Sequence, residues 1–219
     1  MNSIKGLLIK DLLQLKSYKK NFILSTLIYL VLIILESKNS NIGNTGPIMI
    51  MFLFSIYAMA TFNYDEKSKS DRYILTLPLT RREIILSKYV FCISSVLIGA
   101  FFGTIIGILI PYLINNIKPN FDSISSTLLG GMVALSFIQS IQIPYIYKYG
   151  AEKGRLQIYL VMMVIVIALT LIYMLVPEID LSFLDIYSHL IPIIGIILIL
   201  LNYFVSFKIS CKIYNKKEV

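Results

Sequence analysis

Apolar residues occur along this chain in six long runs that are separated by short polar segments. The runs cover about residues 22–35, 47–64, 89–114, 124–147, 156–176 and 189–207. A helix needs roughly 20 apolar residues to cross a bilayer, so six such helices use most of the chain. We therefore predict an all-α integral membrane protein with six transmembrane helices, folded as a single membrane domain over residues 1–219.

The positive charges of the polar segments are distributed unevenly. All but two of the 20 lysines and arginines lie before the first run, or after the second, fourth or sixth, and the exceptions are Lys38 and Lys118. Loops rich in Lys and Arg stay in the cytoplasm, which predicts cytoplasmic N and C termini. The net charge of +8 is explained by this topology and by anionic lipid headgroups, so it does not indicate nucleic acid as a partner.

The segment before the first run predicts an amphipathic helix over residues 3–20. Apolar positions recur at helical spacing, at Ile4, Leu7, Leu8, Leu12 and Leu15. The polar residues mostly lie off that stripe, at Lys5, Lys10, Gln14 and Lys16. A basic amphipathic helix directly before a span lies in the headgroup plane, so we interpret residues 1–20 as an interfacial helix. The alternative is a simple extension of the first span.

The longest polar segment, residues 65–88, predicts a break followed by a long helix. Pro78 biases Leu77 away from helical geometry. Thr80 and Glu83 form the pattern of a capping box, which marks the start of a helix. We therefore expect one uninterrupted helix from about residue 81 through the third span to about residue 114.

Small and amide residues within the spans predict close helix contacts. Gly99, Gly103 and Gly107 recur every four residues and remove the side chains from one helix face, which permits a close approach of two backbones. The glycine face fits two alternatives, contact with a second chain in a dimer and packing against another helix of the same chain. Gln139 and Gln142 share a face of the fourth span, and a polar amide in lipid must turn toward protein or a water-filled path. We favour a helix–helix hydrogen bond over a role in a path.

Residues 177–188 form the last segment on the predicted outer side. Acidic residues alternate there with apolar ones, at Glu178, Leu181, Phe183, Asp185 and Ile186. The pattern fits a small amphipathic element that re-enters the outer leaflet, and it fits an acidic surface turn equally well.

Several kinds of chemistry are missing from the sequence. The chain has no phosphate-binding loop of the type G-x-x-x-x-G-K-[ST] and no zinc-protease motif, and its one histidine is His189. No run has a charged residue near its centre, whereas carriers driven by an ion gradient usually need one. After these exclusions, the function that remains is that of a membrane domain that receives its energy from another protein. The alternatives are an ion-coupled carrier and a scaffold or sensor partner without transport.

The segment between the second and third runs resembles that of small bacterial permeases of ABC-2 type exporters. In that family an acid pair follows the second span, a T-L-P-x-[ST]-R sequence follows, and K-Y opens the third span. Here the corresponding residues are Asp65-Glu66, Asp71-Arg72, Thr76-Leu77-Pro78-Leu79-Thr80-Arg81 and Lys88-Tyr89. The opening Leu8-Ile9-Lys10-Asp11-Leu12 is also similar to that family.

The resemblance implies a cytoplasmic coupling helix within residues 65–88, an interfacial elbow at residues 1–20 and a second contact with an ATPase after the fourth span. The candidate coupling residues are Asp65, Glu66, Asp71, Arg72, Leu77, Pro78, Leu79, Thr80, Arg81, Arg82, Glu83, Lys148, Glu152 and Lys153. Arg81 and Arg82 would pair with acidic groups of the ATPase or anchor at headgroups. The acids would take part in coupling or form a local charge network with Lys67, Lys69 and Arg72.

The resemblance also implies partners and a location. Two permease chains, identical or different, would pair above two copies of a cytoplasmic ABC ATPase. ATP and Mg²⁺ would bind to the ATPase, so this chain would hold no cofactor or metal and would not be an enzyme. The protein would lie in the bacterial cytoplasmic membrane among its lipids. We expect export of an amphipathic peptide or another hydrophobic compound, because such permeases include exporters of antimicrobial peptides and phenol-soluble modulins.

Overall fold

The computed structural model describes residues 2–38, 45–74, 76–115, 121–154 and 191–216, together with the single positions 156, 160, 163, 167 and 170. Seven helices lie within these ranges. They are α1 (Asn2–Ser17), α2 (Lys19–Lys38), α3 (Gly46–Lys67), α4 (Ser70–Ile74), α5 (Arg81–Asn115), α6 (Phe121–Tyr149) and α7 (Ile191–Lys216). A further helical stretch covers residues 151–154.

Five of these helices are long and apolar enough to cross a membrane, namely α2, α3, α5, α6 and α7. They correspond to the predicted spans one, two, three, four and six, so the all-helical membrane architecture is confirmed. The predicted fifth span at 156–176 and the predicted re-entrant segment at 177–188 lie outside the described residues, apart from single positions. The count of six spans stays a prediction.

The N-terminal segment forms a helix of its own, because a turn at Tyr18 separates α1 from α2. The position of α1 in the headgroup plane, as an elbow, stays a prediction. Leu12 of the predicted apolar stripe is 57% exposed, whereas Asp11 is fully buried and Gln14 nearly so. The reason is that α1 packs against helices that supply charged partners for its polar side chains.

Helix α5 begins as the sequence predicts. The Thr80 backbone N–H and the Thr80 hydroxyl both donate to Glu83 Oε2, at 2.9 and 2.8 Å, and the Glu83 N–H donates back to Thr80 Oγ1 at 3.3 Å. This reciprocal pair is a capping box. The helix then continues for 35 residues, about 50 Å at 1.5 Å per residue. It is one continuous rod from the polar segment through the membrane.

The glycine face of α5 packs against α3 of the same chain. A Cβ atom added to Gly99 would lie 2.8 Å from Met51 Cα, and one added to Gly103 would lie 2.7 Å from the Pro47 carbonyl oxygen. Gly107 is buried further along α5. The close backbone approach therefore occurs inside the chain, as the packing alternative predicts.

One end of the helix bundle collects the first helix, the end of α3, the start of α5 and the ends of α6 and α7. Lys88 of α5 contacts Asp11 of α1, and Arg81 contacts the last turn of α7. We call this the basic end, because the predicted cytoplasmic segments with their lysines and arginines meet there. Both termini thus reach the same end of the molecule.

Candidate functional site

A buried cluster of four charged side chains joins three helices at the basic end. Lys88 Nζ of α5 lies 2.8 Å from Asp11 Oδ1 of α1 and 2.6 Å from Asp65 Oδ2 of α3. Lys10 Nζ lies 2.8 Å from Asp65 Oδ1 and 3.2 Å from Asp11 Oδ1. Two carboxylates and two ammonium groups therefore alternate. We call these four residues the charge network.

Neutral groups add hydrogen bonds to the charge network, while Asp11 Oδ2 and Gln14 Oε1 are buried without a hydrogen-bond partner among the described residues. The Gln14 side-chain amide donates to Asp65 Oδ1 at 2.6 Å, and the Ser70 hydroxyl donates to the same oxygen at 2.7 Å. Lys88 Nζ also donates to the Thr61 hydroxyl at 3.3 Å. Asp65 is thereby tied to α1, to α5 and to the start of α4.

Burial makes the charge network depend on its pairing. The side chains of Asp65 and Lys88 are each 7% exposed and that of Asp11 is 1% exposed, while Lys10 reaches the surface at 28%. Ions removed from water are tolerated only when they are paired and hydrogen-bonded. The two positive and two negative charges of the four groups cancel. The ion pairs among these groups also hold α1 against the start of α5.

The location of Asp65 corrects the picture drawn from the sequence. The resemblance implies that Asp65 belongs to a cytoplasmic coupling segment, and in the structure this residue is only 5% exposed. A local charge network was the alternative, and one exists, but its cations are Lys10 and Lys88 rather than Lys67 and Lys69. The difference arises because α1 covers the end of α3, a contact between residues far apart in the chain.

Sequence reasoning missed most of this cluster. Lys10 was assigned to the polar side of an interfacial helix, Gln14 likewise, and Asp11 and Lys88 were given no structural role. Two signals were present: Asp11 and Gln14 follow Leu7 at helical spacing, and Lys88 is a single charge within the otherwise uncharged stretch 84–114. A buried lysine within such a run needs carboxylate partners from elsewhere.

Glu66 connects the two segments that were predicted to contact an ATPase. Its carboxylate accepts a hydrogen bond from the backbone N–H of Ala151, the first residue of the helical stretch 151–154. A carboxylate at a helix N-terminus satisfies a free N–H group and complements the helix dipole. Gly150 precedes this helix with φ +88°, a conformation that favours glycine. The end of α3 is therefore fastened to the segment after α6.

The stretch between α3 and α5 has an anchored side and an exposed side. Ile74 of α4 is 3% exposed and packs with Leu7 and Ile84. On the outer side Tyr73 is 70% exposed and Leu77 is 37% exposed. These two side chains, together with the exposed Thr76 and Pro78, form a small apolar surface at the tip of the basic end. We call the described residues Tyr73, Ile74, Thr76, Leu77 and Pro78 the tip.

Several of the other predicted residues lie around the tip. Leu79 packs against the Leu7–Ile74–Ile84 cluster, and Thr80 and Glu83 form the cap of α5. The side chains of Asp71 and Arg72 lie outside the part that the structure describes.

The two arginines at the start of α5 differ in their surroundings. Arg81 Nη1 donates to the carbonyl oxygens of Tyr214 and Asn215, at 3.2 and 2.9 Å. A cation at a helix C-terminus satisfies the terminal carbonyls, so Arg81 fastens α7 to α5. The sequence offered two alternatives for Arg81, a pair with acidic groups of the ATPase and an anchor at lipid headgroups. Neither alternative included this contact with α7. Arg82 is exposed, with its guanidinium carbon 5.9 Å from the centre of the Phe207 ring.

The end of α6 and the stretch after it carry exposed charged side chains at the same end, although Ala151 is buried. Glu152 and Lys153 are exposed, and Lys148 Nζ lies 4.9 Å from the centre of the Tyr149 ring. These side chains flank the Glu66–Ala151 contact. The structure therefore places this segment beside the end of α3, although 85 residues separate the two partners in the sequence.

Inside the membrane region, Gln139 forms the helix–helix hydrogen bonds that the sequence favoured. Its Nε2 donates to Ser55 Oγ of α3 at 2.8 Å, and Tyr203 of α7 donates its hydroxyl to Gln139 Oε1 at 2.7 Å. Gln142 is also buried. The amide of Gln139 thus joins three helices, and its hydrogen-bonding groups are used inside the chain.

The sequence matches a known membrane family. A family model described as "ABC-2 family transporter protein" matches residues 6–215. This chain belongs to the ABC-2 transporter family. No curated protein matches it. It is therefore the permease subunit of an ABC transporter and a multi-pass protein of the bacterial cytoplasmic membrane. As such it is a transport subunit and not an enzyme by itself.

Family membership also implies a partner protein. An ABC permease works with an ABC ATPase, which supplies the energy of nucleotide hydrolysis. In this ABC-2 permease the tip and the segment after α6 are neighbours, and both are fastened to membrane helices. The charge network lies directly behind them, between α1, α3 and α5.

Proposed function

We propose that this permease is the membrane subunit of an exporter in which two permease chains, identical or different, stand above two cytoplasmic ATPase copies. The ATPase would bind ATP and Mg²⁺. The observation that carries the coupling proposal is the two-sided tip: Ile74 is buried against α1 and α5, whereas Tyr73 and Leu77 are exposed. An exposed apolar pair beside a polar rim suits a protein contact.

Force applied at the tip would reach the membrane through stiff elements. The capping box gives α5 a defined start at Arg81, and the helix then runs without interruption to Asn115. Arg81 would carry the displacement to α7, and the charge network would carry it to α1 and α3. The segment with Lys148, Glu152 and Lys153 would form the second ATPase contact, since Glu66 holds it beside the tip.

The proposed cargo is an amphipathic peptide or another amphipathic compound, moved out of the cell. The closed bonding of Gln139 with Ser55 and Tyr203 supports a route between two permease chains rather than through one. Large apolar side chains are exposed along α2 and α7, for example Leu24, Val31, Ile197 and Leu201. Such surfaces suit contact with lipid, with the second chain or with a cargo that enters from the membrane.

The test is purification of the tagged permease from its native cell in mild detergent, followed by mass spectrometry and an ATPase assay. We expect an ABC ATPase in a 1:1 ratio and ATP hydrolysis that responds to an amphipathic cationic peptide. Tyr73→Ala with Leu77→Ala should reduce the bound ATPase at least tenfold, because removal of central apolar contacts costs about 2 kcal/mol or more.

Lys212→Ala serves as a matched control, since this exposed lysine lies at the same end but outside the tip. The control should retain the ATPase. The coupling proposal is wrong if the Tyr73/Leu77 variant keeps full ATPase binding and transport. The cargo proposal is wrong if amphipathic peptides neither change the ATP hydrolysis rate nor enter vesicles that contain the complex.

A further inference from the structure

A lateral cavity lies between the elbow and the membrane helices. Its volume is about 420 Å³. Four helices contribute to its wall, with Leu8, Leu12, Leu15 and Lys16 from α1, Lys19 and Phe22 from α2, Phe54, Tyr57 and Ala58 from α3, and Phe91, Ser94, Ser95 and Ile98 from α5. It is separate from the tip and from the charge network.

The interior of this cavity is chemically apolar, because its hydroxyl groups are bonded elsewhere. Ser94 and Ser95 donate to the carbonyl oxygens of Phe91 and Cys92, at 2.8 and 2.7 Å. The Tyr57 hydroxyl is 3.1 Å from Ser25 Oγ. A hydrocarbon chain would therefore meet no unpaired hydroxyl group in this wall, and burying it there is favourable.

The charge at the cavity has one sign. Lys16, in the last turn of α1, and Lys19, at the start of α2, are exposed and line the cavity, and none of the described residues that line it is acidic. From Phe91 to Ile98 the wall follows α5 for about 10 Å, at 1.5 Å per residue. The cavity thus combines a cationic corner near the predicted cytoplasmic surface with an apolar slot toward the bilayer centre.

We propose that this cavity binds an anionic phospholipid of the cytoplasmic leaflet. One acyl chain fills the slot between Phe22, Phe54 and Ile98, and the phosphate lies at Lys16 and Lys19. Access is lateral, because α2 packs loosely and Ile33 is its one buried apolar side chain within the described range. The lipid then fills the space between the elbow and α5. This inference is independent of the ATPase contact proposed above.

The test uses the absence of tryptophan from the chain. A Phe54→Trp variant of the full permease, purified in maltoside detergent, is titrated with brominated phosphatidylglycerol and separately with brominated phosphatidylcholine. Bromine quenches tryptophan fluorescence on close contact. We expect saturable quenching by phosphatidylglycerol at a lower mole fraction than by phosphatidylcholine. In the same background, Lys16→Gln with Lys19→Gln should raise the phosphatidylglycerol midpoint about 25-fold, about fivefold per lysine.

Two controls separate the cavity from general effects. Lys5→Gln with Lys20→Gln removes the same charge at lysines that do not line the cavity, so the midpoint should shift far less. Ser94→Leu fills the slot and should abolish saturable quenching. Thr104→Leu removes an equivalent hydroxyl-to-carbonyl bond on α5 outside the cavity, and it should leave quenching unchanged. Equal quenching by both lipids, or no shift in the Lys16/Lys19 variant, would overturn the proposal.

Discussion

Lys88 shows how one residue in this permease ties together parts of the chain that are far apart in sequence. Its ammonium group is bonded to carboxylates from α1 and from α3, and its side chain is 7% exposed. A buried ion pair adds little net stability compared with apolar residues. Removing one partner is nevertheless costly, because the remaining charges stay buried without a counter-charge. The charge network therefore specifies where the elbow lies more than it strengthens the fold.

We predict that Lys88→Met lowers the free energy of unfolding by about 3–5 kcal/mol, because Asp11 and Asp65 would remain buried with only Lys10 nearby. The measurement is equilibrium unfolding in mixed micelles with a rising fraction of SDS. Asp11→Asn combined with Lys88→Met should recover part of the loss, since the Lys10–Asp65 pair then remains balanced.

Lys148→Met is the matched control for that prediction. It removes the same charge from an exposed lysine, and we expect a change within about 0.5 kcal/mol. An unfolding free energy of Lys88→Met equal to that of Lys148→Met would show that the buried network is not needed for stability.

At the scale of single elements, α5 is a packing surface, and we propose that it is also a lever. Its start is set by a local signal, the Thr80–Glu83 cap, and its position is set by the glycines that face α3. Without side chains on this face, the two helices approach backbone to backbone. Such contacts leave no room for adjustment, so α3 and α5 would move together when the tip is displaced.

Gly103→Ala should therefore destabilise the permease by about 1–3 kcal/mol, the usual cost of overpacking a tight contact. The new methyl group would lie 2.7 Å from the Pro47 carbonyl oxygen, a backbone atom that cannot rotate away. Unfolding in SDS micelles measures the change.

Gly130→Ala is the opposite case, because a Cβ there meets nothing within 4 Å. Alanine has a better helix propensity than glycine by about 1 kcal/mol, so this variant should be neutral or more stable. The packing argument would be refuted if the two substitutions had the same effect.

For the whole molecule, the arrangement of the helices agrees with the charge pattern of the sequence. The elbow, the tip, the segment after α6 and the end of α7 meet at one end, where the lysines and arginines are concentrated. Loops with this excess of positive charge remain in the cytoplasm. The proposed ATPase contact lies at this same end, so the predicted topology and the proposed coupling agree.

Cysteine labelling tests this topology in cells, after Cys92 and Cys211 are replaced by serine. An impermeant maleimide should label Asn41→Cys and Ser182→Cys in intact cells, and should label Lys153→Cys only after permeabilisation. Ser182 lies after the predicted fifth span, so its accessibility decides between five and six spans. Labelling of Lys153→Cys in intact cells would contradict the predicted orientation, and labelling of Ser182→Cys only after permeabilisation would contradict the predicted fifth span.

Local signals in the sequence determined the broad architecture of this permease. Three features depend only on neighbouring residues: the length of the apolar runs, the capping box at Thr80 and the break around Pro78. The described helices agree with each of these features. The amide of Gln139 was also interpreted correctly, because an amide within an apolar span needs a partner wherever the helix lies.

Only the tertiary structure decided which charges are buried and what each one contacts. Asp65 and Arg81 both looked like surface residues of a polar loop, yet α1 covers the first and α7 engages the second. Asp11 and Lys88 are 77 positions apart, and nothing in either local pattern identifies the other as its partner. Pairing across such distances depends on how helices pack, and burial then converts an ordinary surface charge into one that must be matched.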